Sequence, residues 1–224
     1  MIRLRKSEAL KREIRQDDPV DLAIPTWALV RQAMQGDKVD EALHFMEYGC
    51  AEDKAMHDSL ISFIDDALTH LASFGEEEVY KVIRRRYYPT VEGWLSKTPG
   101  VEDSLQRAVE FQRSHYGNVR VIEEPERYVV RCEPCGSGGR LRATKSVGTT
   151  KKAYPWSWGK TGIPYYCTHC PVLWEIIPIE LRGYPIRISL LGDKPGDPCV
   201  HLYYKKPELI PEEYFTRVGK TKAK

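Results

Sequence analysis

The chain has 224 residues, 42% of them hydrophobic and 10% aromatic, with a formal net charge of +2. That is enough apolar material for one large or two small packed domains, and it argues against a disordered chain. A charge so near zero creates no molecule-wide field for nucleic acid or anionic lipid, so nucleic acid is a disfavoured partner and any such contact would need a local patch.

The first residues, "MIRLRKSEALKREIRQDD", lack the apolar core of a secretory signal, and no window approaches the roughly 18 apolar residues of a membrane span. A cytoplasmic protein without membrane contact is expected. Helical spacing then takes over: Leu60, Ile64, Ala67, Leu71 and Phe74 fall on one stripe of a segment running from Asp40 to Phe74, with Gly49 expected to break or bend it. His57 lies at the edge of the apolar positions Ile61, Ile64 and Leu68. Histidines so placed are usually core residues, and His57 is retained as a candidate substrate contact. Asp66 and His70 read as an ordinary i,i+4 pair, and the isolated Cys50 as a small buried apolar residue. Gly75 stops the helix. "EEEVYKVIRRRYYPTVEGWL" begins acidic and turns basic, the order that suits a helix dipole, and Pro89 is expected to end or kink it. A further helix is predicted over Val101–His115, with Gly117 as its cap.

Past Gly117 the period shortens. "VRVIEE" and "RYVVRCE", separated by a turn, predict a hairpin, and "YPIRISLLG" and "CVHLYYK" predict two more strands around the loop "DKPGDP". A short helix is expected at "PVLWEI". The fold class is therefore α+β: a helical domain over 1–117 packed on an α+β metal-binding domain over 118–224 with a small antiparallel sheet.

Two C-x-x-C pairs lie in that second part, Cys132 with Cys135 and Cys167 with Cys170. In a reducing compartment such pairs favour thiolate metal binding over disulfides. The intervening stretch, 136–166, exceeds the roughly 15–20 residues common in zinc ribbons, but lengthening a loop adds little closure entropy. Zinc is the expected metal. An iron–sulfur cluster is the less favoured occupant, because no compact ferredoxin run is present. Four thiolates would close a structural site. If His169, Cys199 or His201 replaces one of them, a site with an exchangeable water becomes available, with Glu175 or Glu180 as candidate general base and His169 as a second catalytic candidate.

From Pro134 to Trp174 there is no acidic residue, while Arg140, Arg142, Lys145, Lys151, Lys152 and Lys160 alternate with Tyr154, Trp156, Trp158, Tyr165 and Tyr166. Cations beside aromatic faces suit a small anionic or planar ligand, which makes Arg140, Lys160, Trp156, Trp158 and Tyr166 candidate substrate contacts. A charged loop covering the metal lobe explains the same residues. "GSGG" at 136–139 is a candidate anion nest.

The ending "GDKPGDPCVHLYY", with "FGEEEVYKVIRR" among the helices, resembles the 4-vinyl reductase domains and the related L-2-amino-thiazoline-4-carboxylic acid hydrolase family. The resemblance covers the last hundred or so residues and implies an α+β fold with a cavity between sheet and helices. It also implies that Cys199 stands where such domains can ligate zinc. Those families do not generally carry tandem C-x-x-C pairs. Two functions follow as expectations. One is a zinc-containing hydrolase, or a lyase, acting on a small amide or heterocycle, carboxylate-bearing in one version. The other is a non-catalytic ligand-binding or accessory subunit, acting as a homo-oligomer or within a larger enzyme complex. No helix-turn-helix or P-loop pattern accompanies either.

Overall fold

The four-stranded sheet begins where the sequence predicts strands, after Gly117, but the helices before it are distributed differently. The computed structural model describes residues 3–19, 21–97 and 100–223. It divides into two compact units, one ending at His57 and the other beginning at Asp58. The predicted boundary after residue 117 is thus displaced into the middle of a helix, because the later helices pack on the sheet and its neighbours.

The first unit opens with a hairpin that the charged sequence did not suggest, β1 (Leu4–Ser7) and β2 (Arg12–Arg15) in antiparallel register. It continues with α1 (Thr26–Gln35) and the start of α2 (Val39–Ala72). Ala33, Ala42 and Phe45 form its small core. Arg15 organises the unit: its guanidinium pairs with Asp17 at 2.6 Å and donates to Thr26 Oγ1 and the Ile24 carbonyl. Gly49 neither breaks nor bends α2. It makes room for Trp27, whose ring a β-carbon there would meet at 3.2 Å. Cys50 is exposed, not buried.

The second unit contains the remainder of α2, α3 (Glu76–Leu95), α4 (Val101–Ser114) and a four-stranded antiparallel sheet. Its strands are β3 (Val119–Glu123), β4 (Arg127–Cys132), β5 (Ile188–Leu190) and β6 (Cys199–Tyr204), in the order β3-β4-β6-β5. The apolar stripe predicted on α2 faces outward: Leu60 is 55% and Phe74 71% exposed, whereas Ile61 and Leu68 are buried together with Asp65, which pairs with Lys145. One ion pair thus turns the helix face by one residue. Asp66 also pairs with Lys145, and His70 packs edge-on against Phe74. Pro89 does not end α3, which runs on to Leu95 and anchors its last turns through the fully buried Val91.

α4 packs on β3, β4 and β6, while α3 packs on the segment after the second cysteine pair. That segment is α6 (His169–Pro171), a π-helical turn (Val172–Ile176) and α7 (Ile177–Arg182), stopped by Gly183 at φ 87°. A short helix, α5 (Gly138–Thr144), follows the first pair, and α8 (Glu213–Thr216) lies near the end. α4 ends at a left-handed Tyr116 (φ 54°) instead of at Gly117. Gly117 is needed for another reason, the close passage of its backbone past Gly136. Among the described residues no helix is long and apolar enough to cross a membrane.

A β-carbon on Gly136 would come within 2.4 Å of the His115 carbonyl and 2.7 Å of the Gly117 nitrogen, whereas one on Gly93, inside α3, would meet nothing within 4 Å. Opposite signs are therefore expected in urea unfolding. Gly136→Ala should lose about 1–3 kcal/mol through overpacking, and Gly93→Ala should gain about 0.5–1 kcal/mol from helix entropy. Equal effects would show that the Gly117–Gly136 contact does not constrain the fold.

Candidate functional site

β4 and β6 pair with Cys132 opposite Cys199, Val130 opposite His201 and Tyr128 opposite Tyr203. Directly opposed residues share a sheet face, so Cys132, Cys199, His201 and Tyr203 point the same way. All four are buried, Cys132 completely. Nδ1 of His201 lies 3.8 Å from the Cys132 sulfur. After β4 the chain turns through a cis Glu133–Pro134 bond to Cys135, whose sulfur donates to Gln112 Oε1 at 3.8 Å and lies 3.6 Å from Ser137 Oγ. The glycines of "GSGG" are thus used on sulfur. A β-carbon would lie 2.6 Å from the Cys167 sulfur at Gly138, and 2.9 Å from Cβ of Cys135 at Gly139. The predicted anion nest is thus packed against the two sulfur-bearing side chains.

The second pair starts the α6 helix. His169 Nδ1 lies 2.5 Å from the Tyr166 carbonyl, which can only accept, so Nδ1 carries a proton and Nε2 faces the Cys170 sulfur at 3.7 Å. A backbone carbonyl fixing one ring nitrogen while the other faces thiols is the usual orientation of a metal-binding histidine. Tyr166 packs edge-on against the His169 ring. Arg187, 2% exposed, donates to Ser189 Oγ at 3.2 Å, Tyr203 Oη at 3.5 Å and the Cys170 sulfur at 3.5 Å, and lies over the Trp174 ring. Among the described residues no carboxylate is paired with it.

Burial and the neighbouring Cys135 push the Cys132 thiol up to about 12, and burial likewise holds the Cys167 thiol well above its ordinary value, with Arg142 pulling the other way. The second cysteine of each pair goes down. For Cys135 the hydrogen bond from Cys199 and the amides of Ser137 and Gly139 outweigh burial, and the proton of that couple stays on Cys199. For Cys170 burial is outweighed by His169 and Arg187. Within each pair one thiol is thus shifted up and the other down, as expected when like charges share a buried site. His201 is held well below its ordinary value by burial and by Arg187, which keeps the imidazole neutral and able to ligate. Among the described residues no group of three or more histidine, cysteine or acidic side chains is already arranged to hold a metal ion.

A cavity of about 550 Å³ opens beside this cluster, within the range of small-molecule sites. Arg142, Trp158, Lys160, Gly192, Tyr214 and Arg217 line it, together with Asp193 and Glu213. Two of these residues connect it to the sulfurs: the Gly192 amide donates to Cys199, and the charge of Arg142 acts on Cys167. Two predicted substrate contacts, Trp158 and Lys160, are therefore at the cavity. Arg140 is not. It grips both oxygens of Asp58 and the carbonyls of His115 and Tyr116. Trp156 is buried in a stack between Tyr154 and Tyr80, Tyr166 backs the His169 ring, and His57 belongs to the first unit.

Glu175 is wholly buried, with every oxygen engaged. Oε1 accepts from Trp158 Nε1 at 3.1 Å and the Ser189 amide at 2.9 Å, and Oε2 accepts from Arg217 at 2.8 Å. Burial still raises its pKa, because desolvation outweighs Arg217 and the hydrogen bonds. Glu175 holds Arg217 at the cavity wall, so it is a positioning residue in this geometry. Glu180 bridges Arg84 and Lys220. Arg187 and Arg142 escaped the sequence reading as site residues. The signal for Arg187 was available in "IRISL", where Arg187 and Ser189 alternate with apolar residues in a strand buried on both faces. A smaller cavity of about 190 Å³, lined by Val101, Ser104, Ile188 and Leu202 among others, has no thiol on its wall. No family model, curated protein or solved structure matches the chain.

Removing Arg217 would leave a buried carboxylate without its cation. Arg217→Met is expected to cost about 3–5 kcal/mol, and the cycle with Glu175→Gln should give a coupling of about 0.5–3 kcal/mol. Because the folded pKa of Glu175 is already raised, the folded state binds the extra proton, so the stability of Arg217→Met should fall as pH rises past the ordinary carboxylate range. Unfolding at several pH values checks both points, and a flat profile would show that Glu175 ionises in the folded variant as it does in the unfolded chain.

Proposed function

We propose that the second unit is a thiolate metal protein, with zinc the metal, and that it works as a hydrolase on a small molecule admitted through the 550 Å³ cavity. The observation that carries the reading is the fully buried guanidinium of Arg187, set against Cys170 with no carboxylate partner among the described residues. A cation so deeply buried requires a nearby anion, and sulfur is the group available.

Cys132, Cys135, Cys167 and Cys170 fit the ion in kind, as soft donors suited to zinc. They fit in charge as well: four thiolates around a divalent ion leave two negative charges, which Arg187 and Arg142 balance. Binding would have to draw the sulfurs together and release the protons now kept on Cys132 and Cys167. His169, His201 and Cys199 exceed the four ligands of a closed site, and this surplus favours an exchangeable position over a purely structural ion. Zinc, when bound, would supply Lewis-acid activation of water. The chain's own part is to hold the substrate between Trp158 and Tyr214, to orient Arg217 through Glu175, and to shield the centre. The depth of Cys132 and Cys167 favours a second reading, a structural ion in a ligand-binding or accessory subunit.

Purified protein should contain one zinc per chain. Its removal by chelation should lower stability by several kcal/mol, as expected for a ligand that binds only the folded state. Cys135→Ser and Cys170→Ser should each abolish zinc binding, while His201→Gln should retain zinc and lower the turnover of a small-amide panel at least tenfold. Protein free of zinc and iron, with native thiols all reactive toward a disulfide reagent, would refute the metal centre. Full zinc with His201→Gln unaltered would favour the structural reading.

A further inference from the structure

Arg142 and Arg217 line one cavity, and in both the Nε–H is shielded from solvent and has no hydrogen-bond partner among the described residues. Some of their other donors are engaged. Arg142 gives Nη1 to the Gly192 carbonyl at 2.8 Å and Nη2 to that of Lys194 at 3.3 Å, and Arg217 gives Nη2 to Glu175 and the Ser189 carbonyl. A buried donor left unsatisfied is costly, most of all on a charged group, and in native proteins it commonly marks an absent water or ion. Both guanidinium groups belong to residues on the wall of one cavity, where that of Arg217 lies over the rings of Tyr214 and Trp158, and together they favour an acceptor that carries charge. Lys160 adds a third cation, and Trp158 and Tyr214 supply flat apolar faces.

We infer that this cavity binds a small ligand through an oxyanion, which meets the cationic groups of Arg142, Lys160 and Arg217 beside Tyr214. Carboxylate and phosphate share this chemistry, since both match the guanidinium fork. Asp193 and Glu213, also on the wall, oppose a second negative charge, which favours a monoanion. The inference rests on reading the cavity as the entrance to the thiol centre, and it names the group that the substrate presents there.

Isothermal titration of the full chain with benzoate, phenyl phosphate and the neutral benzyl alcohol tests it, with zinc measured in the same preparations. One of the two anions should bind at one per chain and the alcohol should not, and the better anion identifies the head group. Arg142→Lys keeps the charge but loses the fork, and should weaken binding at least tenfold. Lys160→Gln, an exposed change with little risk to folding, should weaken it about threefold, more so at low salt. The inference is overturned if neither anion binds folded wild-type protein, if the alcohol binds equally well, or if both variants bind like wild type. Anion binding to zinc-free protein would sink the metal reading and leave this one standing; zinc without anion binding would do the reverse.

Discussion

Arg187 sets the terms for the second unit. A guanidinium keeps its charge at any accessible pH and cannot be desolvated without an anion and acceptors for its N–H groups. Here the acceptors are Ser189 and Tyr203 on the sheet and the sulfur of Cys170 at the start of a helix. This one side chain links β5, β6 and the second cysteine pair. Its charge also lowers the Cys170 thiol, behind the larger effect of His169, and the His201 imidazole, behind that of burial.

The rest of the site follows from how closely backbones pass one another. Cys132 and Cys199 face each other because β4 and β6 pair in a register that places them opposite, and a slip of one residue would move both to the other face. The loop behind Cys135 is nearly free of side chains. Gly138 and Gly139 leave no room for a β-carbon beside sulfur, and Gly136 leaves none beside Gly117. Glu175, on a π-helical turn, extends the network outward by holding Arg217 on the cavity wall. π-helical turns are frequent at functional sites because the extra residue re-aims a side chain. Here it is Glu175 whose carboxylate meets Trp158, Ser189 and Arg217 together.

Much of this was legible beforehand. The switch in period after Gly117 located the sheet, the two C-x-x-C pairs located the thiols, and the acid-free tract located Trp158 and Lys160 at the cavity. Other features were hidden for identifiable reasons. The α2 stripe pointed outward because Asp65, an acidic residue, is drawn inside by Lys145, a long-range partner that periodicity cannot see. Pro89 stayed within a helix because the packing of Val91 outweighs local propensity. Arg140 looked like a ligand contact because charge in a sequence does not reveal that Asp58 already occupies it.

By itself the amino-acid order determined the α+β class and the kinds of donor atom present, since these depend on spacing of a few residues and on side-chain chemistry. The tertiary structure decided which thiols are shifted up and which down, which arginine faces Cys170 and which carboxylate is already spent on an ion pair. Those outcomes depend on desolvation and on partners dozens of residues away, and such energies exist only once the chain has closed around them.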